Sequence, residues 1–481
     1  MGDSRFVILV LDGLRPDLVT PDRMPNLCAF RDAGAVLLGC RAQYPTQTRV
    51  NKVSFATGTS PRFHGIHFNK IFVPELSGQP IDLGSYDDVK AAYRRGELIT
   101  APGIGRVLAE AGRRFALIHC GFSGAPWLLN YRGDTFGQEH LATAGYQYST
   151  AKVARLVEDR LGAMPAPGGV NLARTSFALE AFTKVIYPEL RPDVSLIWSD
   201  EPDKSEHVDG LRGPVTDAAI RHSDGLVRTI VEWWRGVAER DNTNLLIVSD
   251  HGHVEISQRA AVARLAQEAG LPLTLDPAGK GGVLLPFGGI YQRDLSDQAL
   301  ADVAQWLQAQ PWCGNLFSAD LDGVHGAIPG TFSKALASID HPRAPELLFS
   351  LRRFDADPDH PLSHSIESGS GPAEGSTHGG LHRTELMNCF FAAGPDFRSR
   401  HQSETPGGLI DLVPTMLHVL GIPPRDTMAG RALGDLLNDG APTADAQPAL
   451  ETFSVGAGEY RQHLSLRKLL RRNVLQHGWR D

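Results

Sequence analysis

The chain reads as an α/β protein: a doubly wound, mostly parallel sheet with helices on both faces, carrying a smaller inserted α/β cap subdomain. Three observations predict this. Apolar runs of strand length alternate with amphipathic stretches of helix length. Several runs stop at an acidic residue or a histidine. From about residue 260 to 375 the texture changes to short strands around one helix, with dense Gly and Pro.

The elements follow in order. Residues 6–11 are a strand, 13–17 a turn and 24–33 a helix. Residues 36–44 read as a second strand, and a helix is expected from near Asn51 to about Thr57. Residues 106–112 end another helix, and 114–120 form a strand. Residues 151–188 read as two helices broken by Pro165-Ala166-Pro167-Gly168-Gly169. Residues 194–198 and 245–249 are strands. Between them, Ile220, Val227, Ile230, Val231 and Trp234 recur at helical spacing in 216–239. Residues 282–285 and 289–291 are short strands beside a helix at 296–310. A core strand returns at 386–393, and a helix at 409–420 ends at Gly421. The expected division is a catalytic α/β domain at 1–259 and 376–437, an inserted cap at 260–375, and a linker and C-terminal arm at 438–481. The arm carries Arg467, Lys468, Arg471 and Arg472. It reads first as packed on its own domain and, alternatively, as exchanged in a homodimer.

Bulk composition removes some function classes. At 481 residues and 42% hydrophobic, the chain can bury a large core. A net charge of -8 argues against a nucleic-acid scaffold. The five cysteines, odd in number and without a C-x-x-C spacing, read as free buried thiols. The apolar run from Phe6 is too short for a signal peptide, and no stretch approaches the roughly 20 apolar residues of a membrane span. The expectation is a soluble protein without a membrane partner, cytoplasmic as the sequence stands and periplasmic if a leader has been trimmed.

Carboxylates and imidazoles gather at the predicted strand ends. Asp12 follows the first strand, Asp203 and His207 follow the strand at 194–198, and Asp250 and His251 follow 245–249. Parallel strands bring such ends to one edge. Asp203 and His207 are four apart, so one helical turn aims both at one ion. With His378 the set has six members, too many for one tetrahedral zinc and suited to two metals. A second constellation is Pro45-Thr46-Gln47-Thr48-Arg49-Val50-Asn51. A hydroxyl at a helix start meets free N–H groups and the positive dipole end, which favours an anion. On local sequence alone, Thr46 or Thr48 can equally be an ordinary helix cap.

These motifs, in this order, resemble the alkaline phosphatase superfamily and, within it, the nucleotide pyrophosphatase/phosphodiesterase (type I phosphodiesterase) branch. The resemblance rests on Leu11 to Asp17, Pro45 to Asn51, Thr57-Gly58 with His64-Gly65-Ile66 and Asn69, Glu201-Pro202-Asp203 with His207, Ser249 to Gly252, and His378-Gly379-Gly380. It implies two Zn2+ ions, or other divalent metals such as Mn2+. One would be held by Asp203, His207 and His378. The other would be held by Asp12, Asp250, His251 and the nucleophile Thr48. Asn69 matches the residue that steadies a phosphoryl oxygen. The implied chemistry is hydrolysis of a small phosphorylated or phosphonylated substrate through a phosphothreonine.

The chain departs from the branch at Arg49, where nucleotide pyrophosphatases carry an aromatic or apolar residue. An arginine there can clamp a second charged oxygen. Phe122, Trp127 and Arg132, in the segment after the strand at 114–120, are expected to line the substrate pocket. The leading expectation is a phosphodiesterase, with a phosphonate or phosphomonoester hydrolase as the alternative. No Cys-x-Pro-x-Arg of formylglycine sulfatases occurs, and no Gly-x-Gly-x-x-Gly of a dinucleotide enzyme follows the first strand. A silent binding protein would not need every ligand position filled. His253 and His382 beside the ligand candidates are expected at most to support them.

Overall fold

The computed structural model describes residues 4–441, 448–470 and 472–481. Its centre is an eight-stranded sheet of β1 (Arg5–Leu11), β2 (Ala35–Leu37), β3 (Phe115–His119), β4 (Glu139–Ala142), β5 (Val194–Ser199), β6 (Thr243–Val248), β7 (Phe390–Ala393) and β8 (His401–Ser403). The spatial order is β8-β2-β7-β6-β1-β5-β3-β4. Only β7 runs antiparallel to its neighbours.

Successive side chains of β1 enter two different cores, so its sequence is continuously apolar. Val7, Leu9 and Leu11 pack with Ile220, Val227 and Ile230 of the helix Pro214–Asp241. Phe6, Ile8 and Val10 pack on the other face with Phe55, Val413 and Met416. β1 pairs in register with β5 and β6, placing Leu11 beside Ser199 and Val10 beside Val248. The chain therefore leaves all three strands at one edge.

Three local expectations shift. The core strand expected at 386–393 is shorter, Phe390–Ala393, and Leu386 ends the helix Arg383–Leu386. The strand expected at 36–44 is two short ones, β2 and Cys40–Arg41, interrupted at Leu38, which is 48% exposed, and Gly39. The helix expected from Asn51 begins three residues earlier, as α1 (Thr48–Thr57).

The inserted unit is a six-stranded sheet from Leu273–Thr274 to Leu347–Leu351, with the helix Asp297–Ala309 and a core around Val303, Leu316 and Phe349. A separate sheet joins it to the rest: Val254–Ala260 pairs with His364–Ser368 and Ser376–Thr377. The five cysteines are free and buried. Among the described residues, no helix is long and apolar enough to cross a membrane.

The segment expected as linker and arm contains a three-stranded antiparallel sheet, Leu450–Ala457, Tyr460–Leu469 and Arg472–Arg480. Residues 442–447 of the expected linker, and Arg471 of the basic cluster, lie outside the described residues. The sheet is tied to the inserted unit by Gln462, whose Oε1 accepts from Leu316 N at 2.9 Å, and by Tyr460 Oη, which donates to Gly314 O at 2.7 Å. It is tied to the catalytic part by Arg472, which grips the fully buried Asp411 with Nη2 at 2.7 Å. Asp411 keeps two backbone donors, Gly408 N and Arg431 N, when that arginine is removed. Arg472→Ala is therefore expected to cost about 3 kcal/mol, the lower end for stranding a buried charge. Lys468→Ala, which breaks the exposed 2.8 Å pair with Glu451, should cost under about 1 kcal/mol. Urea unfolding of both variants checks the contrast.

Candidate active site

The shared edge of β1, β5 and β6 receives every strand-end carboxylate named above. Thr48 opens α1 opposite that edge, and its Oγ1 lies 3.1 Å from His251 Nε2. Asn69 Oδ1 accepts from Arg49 N at 2.9 Å, which leaves the amide NH2 end free of that bond, in a residue that lines the cleft. Gln47 Oε1 accepts from Asn69 N at 2.6 Å and holds that loop to the helix start.

Around His251 the carboxylates divide their oxygens. Asp12 Oδ2 accepts from Lys52 Nζ at 3.0 Å and Trp198 Nε1 at 2.8 Å. Asp12 Oδ1 has no partner and lies 3.5 Å from His251 Nε2. Asp250 Oδ1 accepts from Gly13 N and His251 N, both at 3.1 Å. Asp250 Oδ2 has no partner and lies 3.4 Å from the same nitrogen. Leaving two buried carboxylate oxygens unsatisfied is costly unless a cation completes them. Together with one imidazole they form a donor set that fits a divalent metal. Burial, and the neighbouring Asp12 carboxylate, push the Asp250 carboxyl well above its usual range, as expected of acids crowded for a cation.

The second group surrounds Asp203, the first residue of the helix Asp203–Asp209. Its Oδ1 lies 3.4 Å from both His207 Nε2 and His378 Nε2, and 2.8 Å from His253 Nε2. Backbone carbonyls fix three of the rings. His207 Nδ1 donates to Ser376 O at 2.8 Å, His378 Nδ1 to Thr46 O at 2.7 Å, and His251 Nδ1 to Gly252 O at 3.3 Å. Nδ1 is the donor in each, which leaves each Nε2 turned to the carboxylates, the arrangement of metal-ligating histidines. Burial, and the nearby His251, hold His378 well below its usual range, so it stays neutral.

Asp12, Asp250, His251, Thr48, Asp203, His207 and His378 thus converge at one place. Sequence reasoning missed Glu206 and Lys52 and gave His253 only a supporting role. Glu206 is three residues after Asp203 on one helix and His253 two after His251, so both spacings were readable signals. His64 is structural, its Nε2 2.9 Å from Ser54 Oγ. A further group joins Asp357 and His360 of a loop to His364, the first residue of the strand His364–Ser368, and Asp357 Oδ1 accepts from the backbone of Asp359 and His360 at 2.8 Å.

The cleft over the site has a volume of about 620 Å³. Arg49, Lys52, Lys70, Arg174 and Lys204 line it, which suits an anionic substrate. Arg49 lies over the ring of Phe122 at 4.2 Å, and Phe122 is 63% exposed at the mouth. Two expected lining residues do not belong there. Trp127 sits in the short helix Ala125–Leu129, 7% exposed, with Nε1 donating to Tyr148 O at 3.1 Å and Lys90 Nζ 3.7 Å from its ring. Arg132 turns away to Glu97, 3.0 Å distant, and borders a different depression.

Residues 6–354 match the family described as type I phosphodiesterase/nucleotide pyrophosphatase. Among curated proteins, venom phosphodiesterase 2 of Crotalus adamanteus is 24% identical over 259 residues, 53% of this chain and 27% of its own length. Ectonucleotide pyrophosphatase/phosphodiesterase family member 1 of Homo sapiens is 22% identical over 249 residues, 51% of this chain and 23% of its own length. The chain thus spans about a quarter of the length of these relatives. A solved structure of murine ectonucleotide pyrophosphatase/phosphodiesterase 5, an inactive form in complex with AMP, aligns with a TM-score of 0.61 at 18% identity. That alignment covers 90% of this chain and 100% of the other, and the two share the fold.

Proposed function

The chain belongs to the type I phosphodiesterase/nucleotide pyrophosphatase family, and from that premise we propose that it is a two-zinc phosphodiesterase acting through a phosphothreonine at Thr48. The observation that carries the reading is the pair of partnerless buried oxygens, Asp12 Oδ1 and Asp250 Oδ2, facing His251 Nε2 beside Thr48 Oγ1. One ion would be held by Asp203, His207 and His378, and the other by Asp12, Asp250, His251 and Thr48. When bound, the ions supply charge that lowers the pKa of the Thr48 hydroxyl and offsets the negative charge developing on the phosphoryl oxygens.

The protein's own groups do the rest. Thr48 Oγ1, at the positive end of α1, attacks phosphorus in line. The bond from phosphorus to the leaving oxygen breaks, and Asn69 donates its amide to a non-bridging oxygen. Water then attacks phosphorus, the bond to Oγ1 breaks and the threonine is restored. Lys52 and Trp198 hold Asp12 by one oxygen and keep the other turned to the site.

Arg49 favours a second reading on the same site, a phosphonate or phosphomonoester hydrolase. Among the described residues no carboxylate pairs with it, so its charge is available to a further substrate oxygen. Rates on nitrophenyl phosphate, bis-nitrophenyl phosphate, nitrophenyl thymidine phosphate and a nitrophenyl phosphonate decide between them. A phosphodiesterase hydrolyses one of the two diesters, bis-nitrophenyl phosphate or nitrophenyl thymidine phosphate, fastest. Phosphate or phosphonate monoester as the best substrate overturns that reading and supports the second. Arg49→Ala should lower kcat/KM for the most anionic substrate by about 10–100-fold, the loss of one hydrogen bond to a charged group. Equal rates in the variant would remove the arginine from recognition.

A further inference from the structure

The two-ion reading leaves two buried residues beside Asp203 without a part: His253 and Glu206. His253 is fully buried, just before the strand Val254–Ala260. Its Nδ1 lies 3.0 Å from Ser376 Oγ, and that hydroxyl donates its one hydrogen to Glu206 O at 2.9 Å. Nδ1 is then a donor, which leaves Nε2 turned to the carboxylates. It faces Asp203 Oδ1 at 2.8 Å and Glu206 Oε2 at 3.4 Å. Neither oxygen of Glu206 has a hydrogen-bond partner. Among the described residues no lysine or arginine pairs with either carboxylate. Two buried carboxylates facing one imidazole nitrogen require positive charge at that point, either a second proton on His253 or a cation that takes its place.

His253 repeats the pattern of the other three rings, with Nδ1 on a protein oxygen and Nε2 toward the carboxylates. Its ring centroid is 4.9 Å from those of both His207 and His378. The room for it comes from Gly13, where a Cβ would meet Asp203 Cβ and His253 Nε2, each at 2.9 Å. His253, His378, His251 and Asp203 each offer an atom within 4.8 Å of the others.

We propose that His253 is an additional ligand of the divalent ion at Asp203, joining His207 and His378, with Glu206 balancing the charge behind it. The inference rests on the two-ion reading and goes beyond it. One carboxylate and three imidazoles are a donor set that suits a divalent ion such as zinc.

The test uses the full chain loaded with Co2+, and His253→Met, which keeps the bulk and removes the nitrogen. The wild type is expected to bind two ions. The variant should bind one of the two about 10–100-fold more weakly, with a changed visible spectrum at that site. Two equally tight ions with an unchanged spectrum overturn the proposal. So does weaker binding with an unchanged spectrum, which makes His253 a positioning residue only. If the variant does not fold, long-range 15N–1H spectra of the zinc-loaded wild type decide. Zinc-coordinated Nε2 atoms on four histidines support the proposal, and on three overturn it. A wild type that binds no divalent ion sinks the two-ion reading itself, a result distinct from all of these.

Discussion

Thr48→Ala is expected to lower kcat on the best nitrophenyl ester by on the order of 10⁴-fold or more, with little change in Tm. Loss of Oγ1 removes the atom that would form the covalent bond, and among the described residues no other hydroxyl stands in its place against His251 Nε2. The fold has little stake in that oxygen. Thr48 is the first residue of α1, the helix has no side-chain cap bond, and alanine suits a helical position. Thermal unfolding of wild type and variant should therefore coincide within a few degrees while turnover disappears. Thr48→Ser keeps the hydroxyl and should keep most of the rate. Acid quenching of the wild type during turnover of a phosphorus-labelled substrate should trap label on the protein, and the alanine variant should trap none. Wild-type kcat in Thr48→Ala would end the phosphothreonine reading.

Thorough chelation is expected to abolish turnover and to lower stability together. A ligand present at a thousand times its Kd stabilises the native state by about 4 kcal/mol. Stripping the ions removes that contribution and leaves Asp12 Oδ1 and Asp250 Oδ2 facing one another's charge across His251. The imidazole nitrogens that would bind metal must be unprotonated, so affinity falls as protons compete for them, first at His207, which Asp203 holds up at about 9 against burial, and last at His251 and His378, which burial holds below the usual range. Activity and Tm of the loaded protein should decline in that window, and excess zinc should shift the decline to lower pH. Zinc should restore stripped protein better than magnesium, because the donor set includes imidazole nitrogens. Full activity in metal-free protein would overturn the reading.

The site was legible where physics concentrates information in few residues. β1, β5 and β6 are buried on both faces, so they read as apolar runs, and the residue types change abruptly where each ends. Parallel pairing then implies that those ends meet. The pocket wall was harder to read. A helix as short as Ala125–Leu129 has too few residues to show a period, so nothing local revealed that Trp127 turns inward toward His140 and Lys90. The C-terminal sheet escaped for a related reason. Its alternation is broken by polar side chains, such as Gln462 and Arg472, that face protein and are satisfied by partners far away in sequence. His253 shows the intermediate case. Its spacing from His251 was visible, but only the Ser376 hydroxyl, 123 residues away, identifies which ring nitrogen is turned from the carboxylates.

The bond from His378 Nδ1 to Thr46 O joins positions 332 residues apart, and it carries a consequence for the birth of the protein. Thr46, two residues before Thr48, leaves the ribosome 332 residues ahead of the histidine anchored to it. At roughly 5–20 residues per second, the segments that would close the site are synthesised many seconds apart. Any nascent chain stopped before the segment around His378 carries Thr48 on a helix start with one wall of its site missing. Assembly of the candidate site is thereby tied to synthesis of the segment around His378.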